Sequence, residues 1–270
     1  MLWNAERYEE VGSIHMAYRM AGCDLIVTNS LLGSEPVLAR HGLGDRMTEL
    51  NRAAVEVARS AAGYEGWVLG DVGPVSGPLE AADCPKGDEL RELFEAQIDV
   101  LIDGGVDAVL LETMSDSEEA VIGIEAARNC SSETPVMASF VFAKGADGQF
   151  ETLSGTGMRE TVERVLDAGA DCIGANCGVG LELEDYVRLG IDLVAAAGDV
   201  PVIVQPGVGR GRVEDDGRLY DATPAQMAEI ARRLLGHGVR VVGGCCGTTP
   251  EHLSAMSGVV RGVACPAREW

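Results

Sequence analysis

Four segments of the chain repeat one pattern. "MAGCDLIVTN" (20–29), "DGGVDAVLLE" (103–112), "DAGADCIGAN" (167–176) and "LGHGVRVVGG" (235–244) each close a helical stretch on a glycine and run into a short apolar segment. A glycine that accepts left-handed angles ends a helix, and an unbroken apolar run suits a parallel strand buried on both faces. Three further apolar runs lie between them: "WVLGDVGP" (67–74), "PVMASFVF" (135–142) and "PVIVQPGVG" (201–209). Helical patterns fill the gaps, among them Asp88 to Asp103 and Thr223 to Leu235. The second opens as Thr223-Pro224, an N-cap followed by a first-turn proline.

Strand and helix therefore alternate along nearly the whole chain, which predicts an α/β fold with parallel strands. A (β/α)8 TIM-type barrel is the solution matched to this length. A doubly wound open sheet is the alternative, but no GxGxxG turn follows a first strand. The expected organisation is one barrel domain over residues 1–262 with a C-terminal tail over 263–270. One strand is short: the runs number seven, and the chain opens on a helical stretch from Glu6 to Met20. The expectation is a barrel lacking its first strand, with an open edge that invites homo-oligomerisation.

Composition narrows the function classes. The net charge of −22 repels nucleic acid and anionic lipid. No apolar stretch approaches the ~18 residues of a membrane span, and the charged opening Met1-Leu2-Trp3-Asn4-Ala5-Glu6-Arg7 lacks a signal-peptide core, so a cytoplasmic location is expected. Lys86 and Lys144 are the only lysines, a balance that suits either a salt-rich cytoplasm or an arginine-favouring genome. Eight cysteines in such a chain argue for metal binding or thiol chemistry rather than a disulfide framework.

Three of these cysteines fall where strands end: Cys177 in "IGANCGVG", and Cys245 and Cys246 in "VGGCCGTT". Active sites of barrels are built at the carboxyl ends of the strands. Neighbouring side chains on a regular strand point to opposite faces, but Gly243, Gly244 and Gly247 relax the backbone enough for both sulfurs to turn to one point. Three thiolates with a fourth position open describe a catalytic zinc site. Core filling and redox chemistry are the competing readings, the latter weakened because a disulfide between adjacent residues is strained. Cys23, Cys130 and Cys172 read as small apolar core residues, and Cys84 and Cys265 as loop and tail residues without a role. Were Zn²⁺ bound by three thiolates, the centre would carry −1; a substrate thiol arriving fourth would lose its proton and stay nucleophilic. Alkyl transfer to a thiol is the natural use of such a centre.

These residues resemble a known family. "GANC" and "GGCCGTTPEH", with "TNS" (28–30) and "LLETMSDSEEA" (110–120), are similar to the homocysteine S-methyltransferases, and the likeness runs from about Leu2 to Gly262. The resemblance implies a barrel that binds Zn²⁺ through Cys177, Cys245 and Cys246, takes homocysteine thiol as fourth ligand, and yields methionine. It implies that Glu112 holds the homocysteine amino group and that Thr28 lies beside its carboxylate. Asn176, next to a ligand, is expected to orient the substrate site through hydrogen bonds.

The chain departs from the family pattern in three places. The glycine-rich opening strand with its aspartate is absent, the same gap that strand counting reveals. Leu31 and Leu32 stand where a phenylalanine is usual, and Pro206-Gly207-Val208-Gly209 replaces "PNAG". The last two bear on the methyl donor. Betaine calls for an aromatic cage, yet Trp3 is the sole candidate wall, with Leu32 and Thr113 where tyrosines would serve. Betaine, S-methylmethionine and a methylated corrinoid protein are the donors to consider. The alternatives are an incomplete barrel that binds zinc with little catalysis, or transfer to a different small thiol. His252 is expected to be structural, "GVGRGR" (207–212) a loop above the site, and "VEDDGRLYD" (213–221) a surface hairpin; "DVGP" (71–74) ends a strand and reads as an ordinary turn, with Asp71 lining the pocket as the alternative.

Overall fold

The computed structural model describes residues 1–75, 84–208, 212–214, 217–219 and 222–262. Seven strands form one parallel sheet in strict chain order: β1 (Leu25–Val27), β2 (Trp67–Val72), β3 (Ala108–Met114), β4 (Val136–Phe140), β7 (Cys172–Asn176), β8 (Val202–Gln205) and β11 (Val241–Val242). Each sequence run yields one of them. Two antiparallel hairpins stand outside this sheet, β5 (Phe142–Lys144) with β6 (Phe150–Thr152) and β9 (Arg212–Glu214) with β10 (Gly217–Leu219). The second answers the surface hairpin read at 213–221. The first was not anticipated: the apolar run 135–142 crosses a strand end at Phe140 and enters a hairpin. The tail 263–270 with Cys265, and Gly209–Gly211 of the glycine-rich loop, lie outside the described residues.

Helices fill the connections and cover the outer face of the sheet. They are α1 (Trp3–Glu6), α2 (Tyr8–Met20), α3 (Glu35–Ala39), α4 (Met47–Ala62), α5 (Gly87–Asp103), α6 (Ser117–Cys130), α7 (Met158–Asp167), α8 (Leu183–Ala197), α9 (Pro224–Gly236) and α10 (Pro250–Gly262). α9 starts as its sequence dictates, since Thr223 and Gln226 form a reciprocal capping box ahead of Pro224. None of the described helices is long and apolar enough to cross a membrane.

Strand alternation sorts the side chains into two cores. Leu69, Ala108, Leu110, Met137, Cys172 and Ile203 form the inner cluster, while Val109, Leu111, Val136, Ala138, Ile173 and Val204 face outward onto Phe94, Ile98, Ile124, Leu189 and Leu234 of the helices. Cys172 is thus a buried interior residue, as expected, with its thiol pushed up to about 12 mainly by burial. Continuing the inner rows by two residues toward the carboxyl ends brings Asp71, Glu112 and Gln205 above that cluster, and Asn176, four residues past Cys172, pairs in register with Gln205.

The sheet curls but does not close. β1 and β11 are its end strands and do not pair with each other. Between them, roofed by α2 and α10, lies a cavity of about 770 Å³ lined by Ile14, Leu25, Val27, Val241 and Met256 among others. Tyr18 Oη donates to the Thr248 carbonyl across this gap at 2.8 Å, and Ser257 Oγ donates to the Gly22 carbonyl at 3.3 Å. The seven-stranded count and the open barrel are what the repeat implied.

Candidate metal centre

The loops that follow β8 and β11 zip together. Cys245 N–H donates to the Pro206 carbonyl at 3.0 Å, and Val208 N–H donates to the Cys246 carbonyl at 3.0 Å. This ladder holds two adjacent cysteines in a non-strand geometry. Gly247 takes a φ of 80°, and a Cβ on Gly244 would sit 2.3 Å from the Thr248 side chain, so both positions require glycine. Opposite them, Cys177 follows β7 directly with a φ of 44°, a left-handed angle rare outside glycine and enriched at functional sites.

The three sulfurs converge. The Sγ atoms of Cys177, Cys245 and Cys246 lie within 4.8 Å of one another, with Cys177 and Cys246 at 3.0 Å. Among the described residues they are the one group of three or more potential ligands of this kind. A tetrahedral ion with metal–sulfur bonds of about 2.3 Å separates its sulfurs by about 3.8 Å, inside the observed span. Cys246 is exposed, which leaves the cluster approachable. A hydrogen bond with Cys177 pushes the Cys245 thiol well up and raises that of Cys246, with burial adding to both. Crowded thiols of this kind gain from a cation that takes their protons' place.

Asn176 is the hub beneath the cluster. Fully buried, it donates through Nδ2 to Thr113 Oγ1 at 2.8 Å and toward Cys245 Sγ at 3.7 Å. Its Oδ1 accepts from Ser139 Oγ at 2.8 Å and Thr113 N–H at 3.2 Å. Thr113 is, among the described residues, the other non-glycine residue with a left-handed angle (φ 61°), at the point where β3 shifts register against β4. Asn176 therefore ties β3, β4 and β7 to a thiol.

Glu112 reaches the interior layer, where its carboxylate accepts from Gln205 Nε2 at 3.2 Å; burial, then the charge of Cys177, hold its pKa above the usual range. Thr28 is buried and engaged with backbone: its hydroxyl accepts from Asp71 N–H at 2.9 Å and shares a 2.6 Å hydrogen bond with Ser30. The first of these bonds fastens the end of β1 to β2. Trp3 is 54% exposed beside the open cavity, with the Arg7 guanidinium 5.3 Å from its ring centroid. His252 is structural as read, buried between Thr249 and the Ala222 carbonyl.

Asp71 differs from the turn read at 71–74. It lies inside β2, is 4% exposed, and turns its side chain inward in register with Leu110. The signal was present in the alternation Leu69, Asp71, which places a carboxylate on the row of an interior leucine.

A parallel α/β barrel-type sheet with a three-thiol centre at the carboxyl ends of its strands defines a class of thiol- or metal-centred barrel proteins. Residues 1–260 match the homocysteine S-methyltransferase family, and the chain belongs to it. It is 28% identical to methionine synthase of Mycobacterium tuberculosis over 98% of this chain and 23% of that protein. It is 26% identical to the Mycobacterium leprae methionine synthase over 95% and 22%. The chain thus spans under a quarter of these relatives. The Escherichia coli homocysteine methyltransferase MmuM shares the fold: its metallated form superposes with a TM-score of 0.72 at 23% identity, covering 95% of this chain and 88% of that one. Its oxidised form gives 0.73 at 24%.

Proposed function

We propose that this chain is a zinc-dependent methyltransferase that moves a methyl group to the thiol of L-homocysteine, giving methionine. The observation that carries the reading is the convergence of Cys177, Cys245 and Cys246 within 4.8 Å at the carboxyl ends of the strands. These three would hold the ion, which when bound supplies a substrate thiolate at neutral pH. Glu112 would hold the substrate amino group, and Asn176 would keep Cys245 and Thr113 in place. Thr28 would brace the strand ends on the carboxylate side through its bond to Asp71 N–H. In the transfer, a lone pair of the homocysteine sulfur forms the new S–C bond while the donor–methyl bond breaks, its electron pair leaving with the donor.

The test is zinc per chain on freshly reduced protein, repeated on Cys246→Ala. About one zinc in the parent and little in the variant is the expected result; no zinc in a folded parent would sink the proposal. Betaine, S-methylmethionine and methylcobalamin are the donors to run side by side with homocysteine. Trp3 offers one aromatic wall already faced by Arg7, so a strong preference for betaine would need a further aromatic source. The open edge between β1 and β11 favours a second reading, zinc binding with little turnover; one zinc per chain without methionine from any donor would establish it.

A further inference from the structure

Above the inner cluster, Asp71 and Gln205 are buried with side-chain oxygens that have no partner. Asp71 Oδ1 and Gln205 Oε1 are both unsatisfied, in residues 4% and 8% exposed. An orphaned buried acceptor is costly unless a ligand completes it. Both sit on inward rows, Asp71 two residues beyond Leu69 and Gln205 two beyond Ile203. Glu112 stands with them, bonded to the amide nitrogen of Gln205.

Two carboxylates meet in this buried layer, and among the described residues no basic side chain is ion-paired with either. Burial raises Asp71 well above its ordinary range and the nearby Glu112 raises it further. What the layer lacks is a cation. An alkylammonium has three N–H donors and no acceptor, matching Asp71 Oδ1, the Glu112 carboxylate and Gln205 Oε1. The thiol cluster adjoins it: the backbone of Gln205 runs into Pro206, whose carbonyl holds Cys245 N–H, and Glu112 feels the charge of Cys177. A short ligand with a thiol at one end and an ammonium at the other would have a partner for each in these two groups.

We propose that Asp71 and Gln205 complete, with Glu112, an acceptor cradle for the α-ammonium group of the substrate, and that Asp71 makes the site select an amino-acid thiol. This rests on the thiol-binding reading above and adds a specificity residue to it. Charge-assisted hydrogen bonds in such a setting are worth about 1.5–3 kcal/mol, on the order of ten- to a hundredfold in affinity.

The experiment is calorimetric binding to the zinc-loaded protein of L-homocysteine and of 4-mercaptobutanoate, which differs only in lacking the amino group. Wild type should prefer homocysteine by about tenfold or more. Asp71→Asn should bring the two within a few fold of each other by weakening homocysteine alone, with zinc per chain unchanged. Gln205→Leu should give a smaller drop in the same ratio, and serves if Asp71→Asn proves unstable. An unchanged ratio in both variants overturns the cradle while retained mercaptobutanoate binding leaves the thiol reading intact. Wild type that binds neither thiol overturns both. A second metal ion per chain that Asp71→Asn abolishes would make the layer a metal site and also overturn the cradle.

Discussion

The closed arc of the sheet and its open edge are built from different material. β3 and β4 pair on both sides and carry Val109, Leu111, Val136 and Phe140 with no exposure. β1 and β11 are three and two residues long, and Leu25, Val27, Val241 and Val242 are only partly buried beside the cavity. The candidate site straddles the two. Glu112, Asn176 and Cys177 leave the arc, while Cys245 and Cys246 follow the edge strand. Ligand geometry therefore depends on the least supported strand, and a bound ion would fasten the edge to the arc as much as serve chemistry.

The largest contrast should appear in core substitutions. Phe140→Ala empties a site in the outer core and is expected to cost about 3–5 kcal/mol. Val241→Ala, on the half-buried edge, should cost about 1 kcal/mol or less. Urea unfolding of both variants measures the difference, and equal losses would mean that the edge is packed as tightly as the arc. Metal comes next. With free zinc at about a hundred times its dissociation constant, stability should rise by about 2.7 kcal/mol. Amide exchange should show new protection concentrated at Val241–Cys246 over Ala108–Leu111, and chelation should erase it; uniform protection would contradict the fastening role.

A third outcome concerns the acids of the arc. Asp71 in the folded chain keeps its proton to higher pH than it does unfolded, because of burial and of Glu112. The unfolded chain then binds fewer protons as pH rises above the ordinary carboxylate range, so stability falls over that interval. Asp71→Asn removes this loss and should flatten the pH dependence of the melting temperature, making the variant the more stable chain near neutrality. A variant with an unchanged slope would show that Asp71 is ionised without strain.

The arc was more legible than the edge for a physical reason. An apolar run, in four of the seven cases announced by a glycine stop, is a signal that one chain segment carries by itself, and all seven strands answer to such runs. Even the short count was readable, because a parallel barrel needs one more strand than the runs supply. The thiol triad was legible as residue types at strand ends. What local pattern could not convey was pairing across the molecule: that Asn176 would clasp Thr113, Ser139 and Cys245, that Pro206 would hold Cys245, or that Thr28 would spend its hydroxyl on Asp71 N–H. Asp71 reads first as part of a turn because "DVGP" contains turn residues; its inward placement, the alternative, depends on its register with β3. The hairpin at 142–152 was hidden for a similar reason, Phe142 being as apolar as the strand it follows.

The smallest effect tests how the edge is latched without metal. Tyr18 Oη reaches from α2 across the cavity to the Thr248 carbonyl, two residues past Cys246, at 2.8 Å. Tyr18→Phe keeps the ring and deletes that bond, for an expected loss of about 1 kcal/mol. Because the bond joins the helix before β1 to the loop after β11, the loss should be felt first as faster exchange of the Cys245 and Thr248 amides. It should also weaken zinc binding by a few fold, since the variant must order the loop that carries two of the three thiols. If zinc affinity and loop exchange stay put while global stability falls, the latch serves helix packing alone, and the ladder from Pro206 and Val208 is what holds the cysteine pair.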